Sequence, residues 1–209
     1  MARAPDPELL PKLMAASAAE FARKGFVDTT IEGITRRAGY SKAAFYLHFD
    51  TKEAAFRILL KHYVAGLENE IHNDDRFLAL DPGPAAGPQV LAYFVDKAIR
   101  IAEYQWEHRD VTRMLVGGVM ATETAPLIAD IFERGRQRLE RFFAWGIRQQ
   151  IFRASVDPAL ASLLFAGAHE RLAARIVLAR SRPDIGGLIR AAHELLLDGL
   201  VVHDSPRSR

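Results

Sequence analysis

An all-α protein of about nine helices is the fold class the sequence predicts, and three observations predict it. Apolar residues recur at i, i+3 and i+4 in segment after segment. Strand-like alternation is missing throughout, and no internal repeat is visible. Gly, Pro, Asp, Ser or Thr stands where each helix should start or stop. At 209 residues, 49% apolar and 26% charged, the chain has ample material for a core within an ordinary soluble composition. A net charge of +2 means that any nucleic-acid affinity must come from a local patch. The lack of cysteine excludes a disulfide framework and cysteine-ligated zinc fingers. No apolar run approaches the roughly 20 residues of a spanning helix. The proline-spaced start MARAPDPELLPK lacks the apolar centre of a signal peptide. A soluble, cytoplasmic chain with no membrane partner is expected.

The elements follow in order. Residues 8–24 form a first helix, with Leu9, Leu10, Leu13, Met14, Ser17, Ala18, Phe21 and Ala22 on one stripe and Gly25 as its stop. In the second, Ile31, Ile34 and Ala38 share a face, with Thr29 as candidate N-cap and Glu32 at the reciprocal place of a capping box. Gly39 ends it after Arg36 and Arg37, as a left-handed cap behind cations should. Tyr40 and Ser41 leave room only for a tight turn, and Ser41 can cap a short helix at 42–49. Helix, glycine turn and helix make a helix-turn-helix. Residues 51–72 form a longer helix on Phe56, Leu59, Leu60, Tyr63, Val64, Leu67 and Ile71, long enough to leave the first unit and act as a lever. The Pro- and Gly-rich stretch 73–88 is expected to be a mobile loop. Helices follow at 89–108, 110–120 and 125–150. Asp157-Pro158 caps and opens another to about 180, and a last one covers 184–202 before a disordered tail.

Charge suggests a purpose for the motif. Between Arg36 and Lys61 stand six bases, Arg36, Arg37, Lys42, Lys52, Arg57 and Lys61, against the two acids Asp50 and Glu53. Lys42, Tyr46, His48 and Lys52 are candidates for phosphate oxygens, with Thr29 and Thr30 presenting a helix N-terminus to another. Tyr40, Ser41, Ala43 and Ala44 are the candidates near base edges in a major groove. Charge alone leaves a second reading open, a helical hairpin with a solvated basic face.

The residues themselves carry more. Thr29, Thr30, Ala38, Gly39, Ser41, Lys42, Phe45, Tyr46, His48, Phe49, Lys52 and Glu53 fill the fixed places of a pattern that resembles the DNA-binding region of TetR (TetR/AcrR-type) transcriptional regulators. Ala43 departs from it, standing where that family most often has Gly, which bears on the operator read. The resemblance implies a DNA-binding domain at 1–50, joined by helix 51–72 to a ligand-binding and dimerisation domain within 51–209. It also implies a regulator, a repressor in the first instance, and not an enzyme.

Large apolar side chains exceed the needs of a simple bundle seam. Tyr63, Leu67, Phe94, Tyr104, Met114, Phe132 and Phe143, with Gln105 and His169 as polar members, are candidates to line a pocket for a hydrophobic or amphipathic molecule. Singly, each reads equally as core. A homodimer is expected because one helix-turn-helix touches little DNA, and two-fold dimers meet paired half-sites in a palindromic operator. Its seam is expected at 157–180 and 184–202, around Leu163, Gly167, Leu188, Ala192 and Leu195.

Catalysis finds little support. His169-Glu170 and His193-Glu194 each begin a metalloprotease-like pattern, but Ala173 and Leu197 occupy the place of the second histidine. Both histidines are expected at helix faces, hydrogen-bonded or exposed. Gly39 to Ala43 resembles a nucleophile elbow but follows a helix and not a strand. No cofactor or metal set is suggested. The alternatives to a ligand-responsive regulator are a ligand-independent DNA-binding regulator, a helical enzyme or an adaptor, the last of which leaves the motif unexplained.

Overall fold

The computed structural model describes residues 6–72, 83–116 and 125–201. Among the described residues there are nine α-helices and no strand: α1 Leu9–Asp28, α2 Ile31–Ala38, α3 Lys42–Tyr46, α4 Lys52–His72, α5 Gly87–Glu107, α6 Arg109–Val116, α7 Ala125–Arg148, α8 Pro158–Val177 and α9 Ile185–Asp198. The expected loop at 73–82, the end of the sixth helix beyond 116 and the tail from 202 lie outside these residues. The part of that loop which is described, from Gly83, already turns into the start of α5 through a 3₁₀ turn at Pro84–Ala86.

The caps explain most boundaries. In α1 the expected stop is a break within a longer element: Gly25 takes φ 81°, and one further turn carries the chain to Asp28. The N-cap of α2 is Thr30, whose hydroxyl accepts from Gly33, and Gly39 closes the helix at φ 76°. Thr29, the expected cap, is buried, and its hydroxyl is shared between the carbonyls of Glu20 (3.1 Å) and Gly25 (2.7 Å). Asp157 and Asp184 cap α8 and α9 as expected.

Three apolar clusters hold the helices together. The first joins Leu13 and Phe21 of α1, Ile34 of α2, Phe45 of α3 and Phe56 and Leu60 of α4 to Val111 and Met114 of α6. Its centre is a triad of rings, Phe21, Phe26 and Phe56, with centroids 5.0–5.6 Å apart. The second gathers Phe94, Phe142, Phe143, Trp145, Phe152 and Phe165 between α5, α7 and α8. The third packs Ala98 and Ala102 of α5 against Ile176, Val177, Ile185 and Ile189. An isolated antiparallel bridge, Phe152 to Val201, ties the chain after α9 to the α7–α8 turn.

Close packing leaves no room for a side chain at Gly146. A Cβ on Gly146 would run into the buried ring of Phe152, whereas one on Gly135, in the same helix, would meet nothing within 4 Å. Gly146→Ala is therefore expected to destabilise the fold by about 2–3 kcal/mol. Gly135→Ala should be neutral or stabilising by up to about 1 kcal/mol through helix propensity. Paired thermal melts check the contrast.

Glu20 locks α1 to α2. Its carboxylate is buried and takes Arg37 (2.8 Å), Arg23 (3.0 Å) and Lys24 (3.2 Å). Burial raises its pKa, but the hydrogen bonds from Arg37, Arg23 and Lys24 outweigh this and hold it at about 2, below the ordinary 4.5. A depressed folded pKa gives stability that is complete above pH 4.5 and lost as pH falls toward 2. Glu20→Gln should lower stability by about 2 kcal/mol at neutral pH, since three cations then face a neutral amide. The gap to wild type should shrink below pH 4.5 and close as pH falls through about 2, as denaturant melts across pH will record.

Candidate nucleic-acid interface and effector cavity

The turn after α2 and the short α3 form one exposed edge of the molecule. Ser41 caps α3 by accepting from Ala44 at 3.2 Å, and Phe45, pointing inward, anchors it on the core. With the inward face so committed, Ser41, Lys42, Ala43, Tyr46, Leu47 and His48 stand exposed, and Ala44 is half-buried. Lys42 pairs with Glu32 at 3.1 Å, but both side chains are more than half exposed, so the pair is weak and exchangeable.

Four expectations change here. The second helix is shorter than 42–49: after Tyr46 the chain turns, with His48 and Phe49 both donating to the carbonyl of Phe45. Leu47, which periodicity does not single out, is thereby left 77% exposed beside Tyr46. An apolar group at that place can meet a thymine methyl. The ammonium of half-buried Lys52 is engaged within the protein: its three N–H donors go to the carbonyls of Phe26 (2.8 Å), Val27 (3.1 Å) and Thr29 (2.9 Å), over the Phe26 ring. It fastens the turn of α1 beyond Gly25 and is corrected from phosphate ligand to structural clamp. Thr29, buried with its hydroxyl turned inward, is corrected in the same way, and Thr30 alone caps the outward end of α2. Tyr40 is half-buried and donates to Asp6 at 2.8 Å, so its hydroxyl is engaged within the protein.

A cavity of about 240 Å³ opens between α4, α5, α6, α7 and α8. Of the expected residues, Tyr63, Leu67, Phe94, Gln105, Phe132 and His169 line it. Met114 and Phe143 do not: both are fully buried and belong to the core. Tyr104 is also displaced from the wall. Its hydroxyl donates to the carbonyl of Tyr63 at 2.9 Å in space left by Gly66, and its ring stacks on His108 at 4.1 Å. Residues missed at the sequence level include Tyr93, Ile101, Leu139 and Phe142, together with Lys97, Arg136 and Arg138.

Polar groups of the wall are arranged in relays. Thr112 donates to the Gln105 (3.0 Å) or His108 (3.2 Å) carbonyl, so the Tyr63 hydroxyl, 3.0 Å from it, is the donor of their shared bond. Burial pushes the Tyr63 phenol up to about 12. The two histidines of the rejected metalloprotease patterns meet across α8 and α9, with Nε2 atoms 3.3 Å apart. Burial, and secondarily the neighbouring His193, push His169 down to about 4. His193, fully enclosed, is lowered by burial as well. No group of three or more His, Cys, Asp or Glu suited to a metal occurs among the described residues.

A third surface lies on the outer side of α8 and α9. Leu160, Leu163, Leu164 and Gly167, at helical spacing, are all exposed, and Leu195 is 82% exposed. Leu188 and Ala192 are half-buried beside them. No helix among the described residues is long and apolar enough to cross a membrane.

Comparison with known proteins agrees with this anatomy. Residues 13–57 match the N-terminal model of the tetR family of bacterial regulatory proteins. Two uncharacterized HTH-type transcriptional regulators of Bacillus subtilis are similar to it: YerO, 44% identical over 62 residues, and YdgC, 38% over 52. These matches take in 30% and 25% of this chain and only 22% and 27% of theirs. The fold likeness is far wider. SmeT, the repressor of a Stenotrophomonas maltophilia multidrug efflux pump, aligns over 95% of this chain and 94% of its own, with a TM-score of 0.67 and 19% identity. The ketosteroid transcriptional regulator KstR2 of Mycobacterium tuberculosis aligns over 97% and 100%, with 0.71 and 16%. A tetR-family regulatory protein from Rhodococcus aligns over 95% and 100%, with 0.70 and 21%. Residues 13–57 thus match the helix-turn-helix module of the tetR family, and the described structure shares the fold of these regulators from α1 to α9.

Proposed function

We propose that the chain is a ligand-responsive transcriptional regulator, a repressor that binds a palindromic operator as a homodimer and is released by a hydrophobic or amphipathic small molecule. The observation that carries this reading is the double attachment of α4. Its first half, Ala55, Phe56 and Leu59, sits in the core beneath the helix-turn-helix, while Leu60, Tyr63, Val64 and Leu67 line the cavity. Anything wedged into the cavity pushes on the element that carries the DNA-binding edge.

In this reading residues 1–50 bind DNA and 51–209 bind ligand and partner. Lys42, Tyr46 and His48 hold phosphates, Ser41, Ala43, Ala44 and Leu47 lie against base edges, and Thr30 offers the α2 N-terminus. Tyr40 reaches DNA only by leaving Asp6. The exposed leucines of α8 and α9 are covered by their copies across a two-fold axis. A ligand needs a preference of only about 1–3 kcal/mol for the non-binding state to weaken operator affinity up to about a hundredfold. Titrating an operator complex with apolar compounds while following Trp106 and Trp145 fluorescence tests this. Binding in the cavity with release of DNA supports it, and binding that never releases DNA defeats the lever.

A further inference from the structure

We infer that His169 and His193 form a fixed hydrogen-bond relay that makes the cavity select apolar molecules bearing a neutral hydroxyl; this rests on the cavity being a ligand site. The direction of the relay follows from its last member. His193 Nδ1 lies 2.8 Å from the carbonyl oxygen of Ile189, which can only accept, so Nδ1 carries the proton. Enclosure keeps His193 neutral, and its Nε2 is therefore a bare lone pair. His169 Nε2 faces that lone pair at 3.3 Å, and the contact is attractive only if His169 Nε2 carries the proton. His169 is neutral too, which leaves its Nδ1 an acceptor on the ring that lines the cavity.

An acceptor in an apolar wall favours a donor and disfavours another lone pair. The donor is a neutral hydroxyl and not an ammonium, because a charge carried into this largely apolar wall would meet at His169 only a neutral acceptor and no counter-ion. Tyr63 and Thr112 offer the ligand no proton in return, since each already donates its own within the protein. His169 is thus a specificity-determining residue. His193, which does not line the cavity, is a positioning residue that sets the tautomer.

The test is calorimetric binding of 2-naphthol and 2-methoxynaphthalene, which differ in the donor, to the full chain. Wild type should favour 2-naphthol by about tenfold, the worth of one well-placed hydrogen bond. His169→Phe should bring the two affinities within about twofold of each other while still binding 2-methoxynaphthalene. His193→Gln, whose carbonyl can accept from His169, should retain the preference, and His193→Leu should weaken it. Long-range ¹H–¹⁵N spectra read the tautomers without any ligand: His169 should be protonated at Nε2 and His193 at Nδ1. Equal binding of both compounds to wild type, or the opposite tautomers, overturns the relay and leaves the cavity reading intact. Binding of neither compound overturns the cavity reading and the selection together.

Discussion

Replacing Leu163 and Leu195 by aspartate is expected to yield a folded monomer that has lost operator binding. Both side chains are largely exposed, so neither change should disturb the fold of one chain. Between two chains, four carboxylates would be driven into an apolar seam, at a cost of several kcal/mol of association free energy. A monomer presents one recognition element where an operator offers two, so affinity should fall by about a hundredfold or more. Sedimentation gives the oligomeric state, circular dichroism the fold, and a gel shift the DNA binding. An unchanged dimer would place the seam elsewhere and leave the exposed stripe of Leu160, Leu163, Leu164 and Gly167 unexplained.

The second large effect separates two lysines that look alike in sequence. Lys42→Ala should weaken operator binding about tenfold or more. It should also flatten the salt dependence by about one unit for each phosphate no longer neutralised, and a dimer has two such phosphates. Lys52→Ala should act differently. It strips three carbonyls at the end of α1 of their charged donor, and should destabilise the fold by about 2 kcal/mol. Because the donors of Lys52 are spent on those carbonyls and not on phosphate, the salt slope of the folded variant should match wild type. Gel shifts over a range of salt, beside thermal melts, measure both quantities.

That contrast marks the limit of what is legible in the sequence. Periodicity and caps are local, so the helices can be read directly, down to the left-handed Gly39 and the aspartates before α8 and α9. Thr29 and Thr30 are equally good caps by local rules, and tertiary structure chooses between them. The break at Gly25 brings carbonyls to Thr29, which turns inward and leaves Thr30 to cap. Lys52 is the same case, since nothing local tells that unsatisfied carbonyls lie 23 to 26 residues upstream. The cavity is legible as a composition and not as a wall. Phe142 and Phe143 are neighbours with one chemistry, yet Phe142 lines the space and Phe143 is sealed in the core. The histidine pair is invisible in the sequence because its members, 24 residues apart, meet only when α8 packs on α9.

Whether the exposed edge at Lys42–Tyr46 reads duplex DNA decides the functional proposal. Fragments would be selected from a genomic pool by the wild-type protein, then footprinted with the wild type and with a Lys42→Ala, Tyr46→Ala double variant. The predicted result is a two-fold symmetric footprint with half-sites about 34–36 Å apart, absent with the double variant at the same protein concentration. Failure to enrich any fragment, or an equal footprint from the double variant, would contradict it.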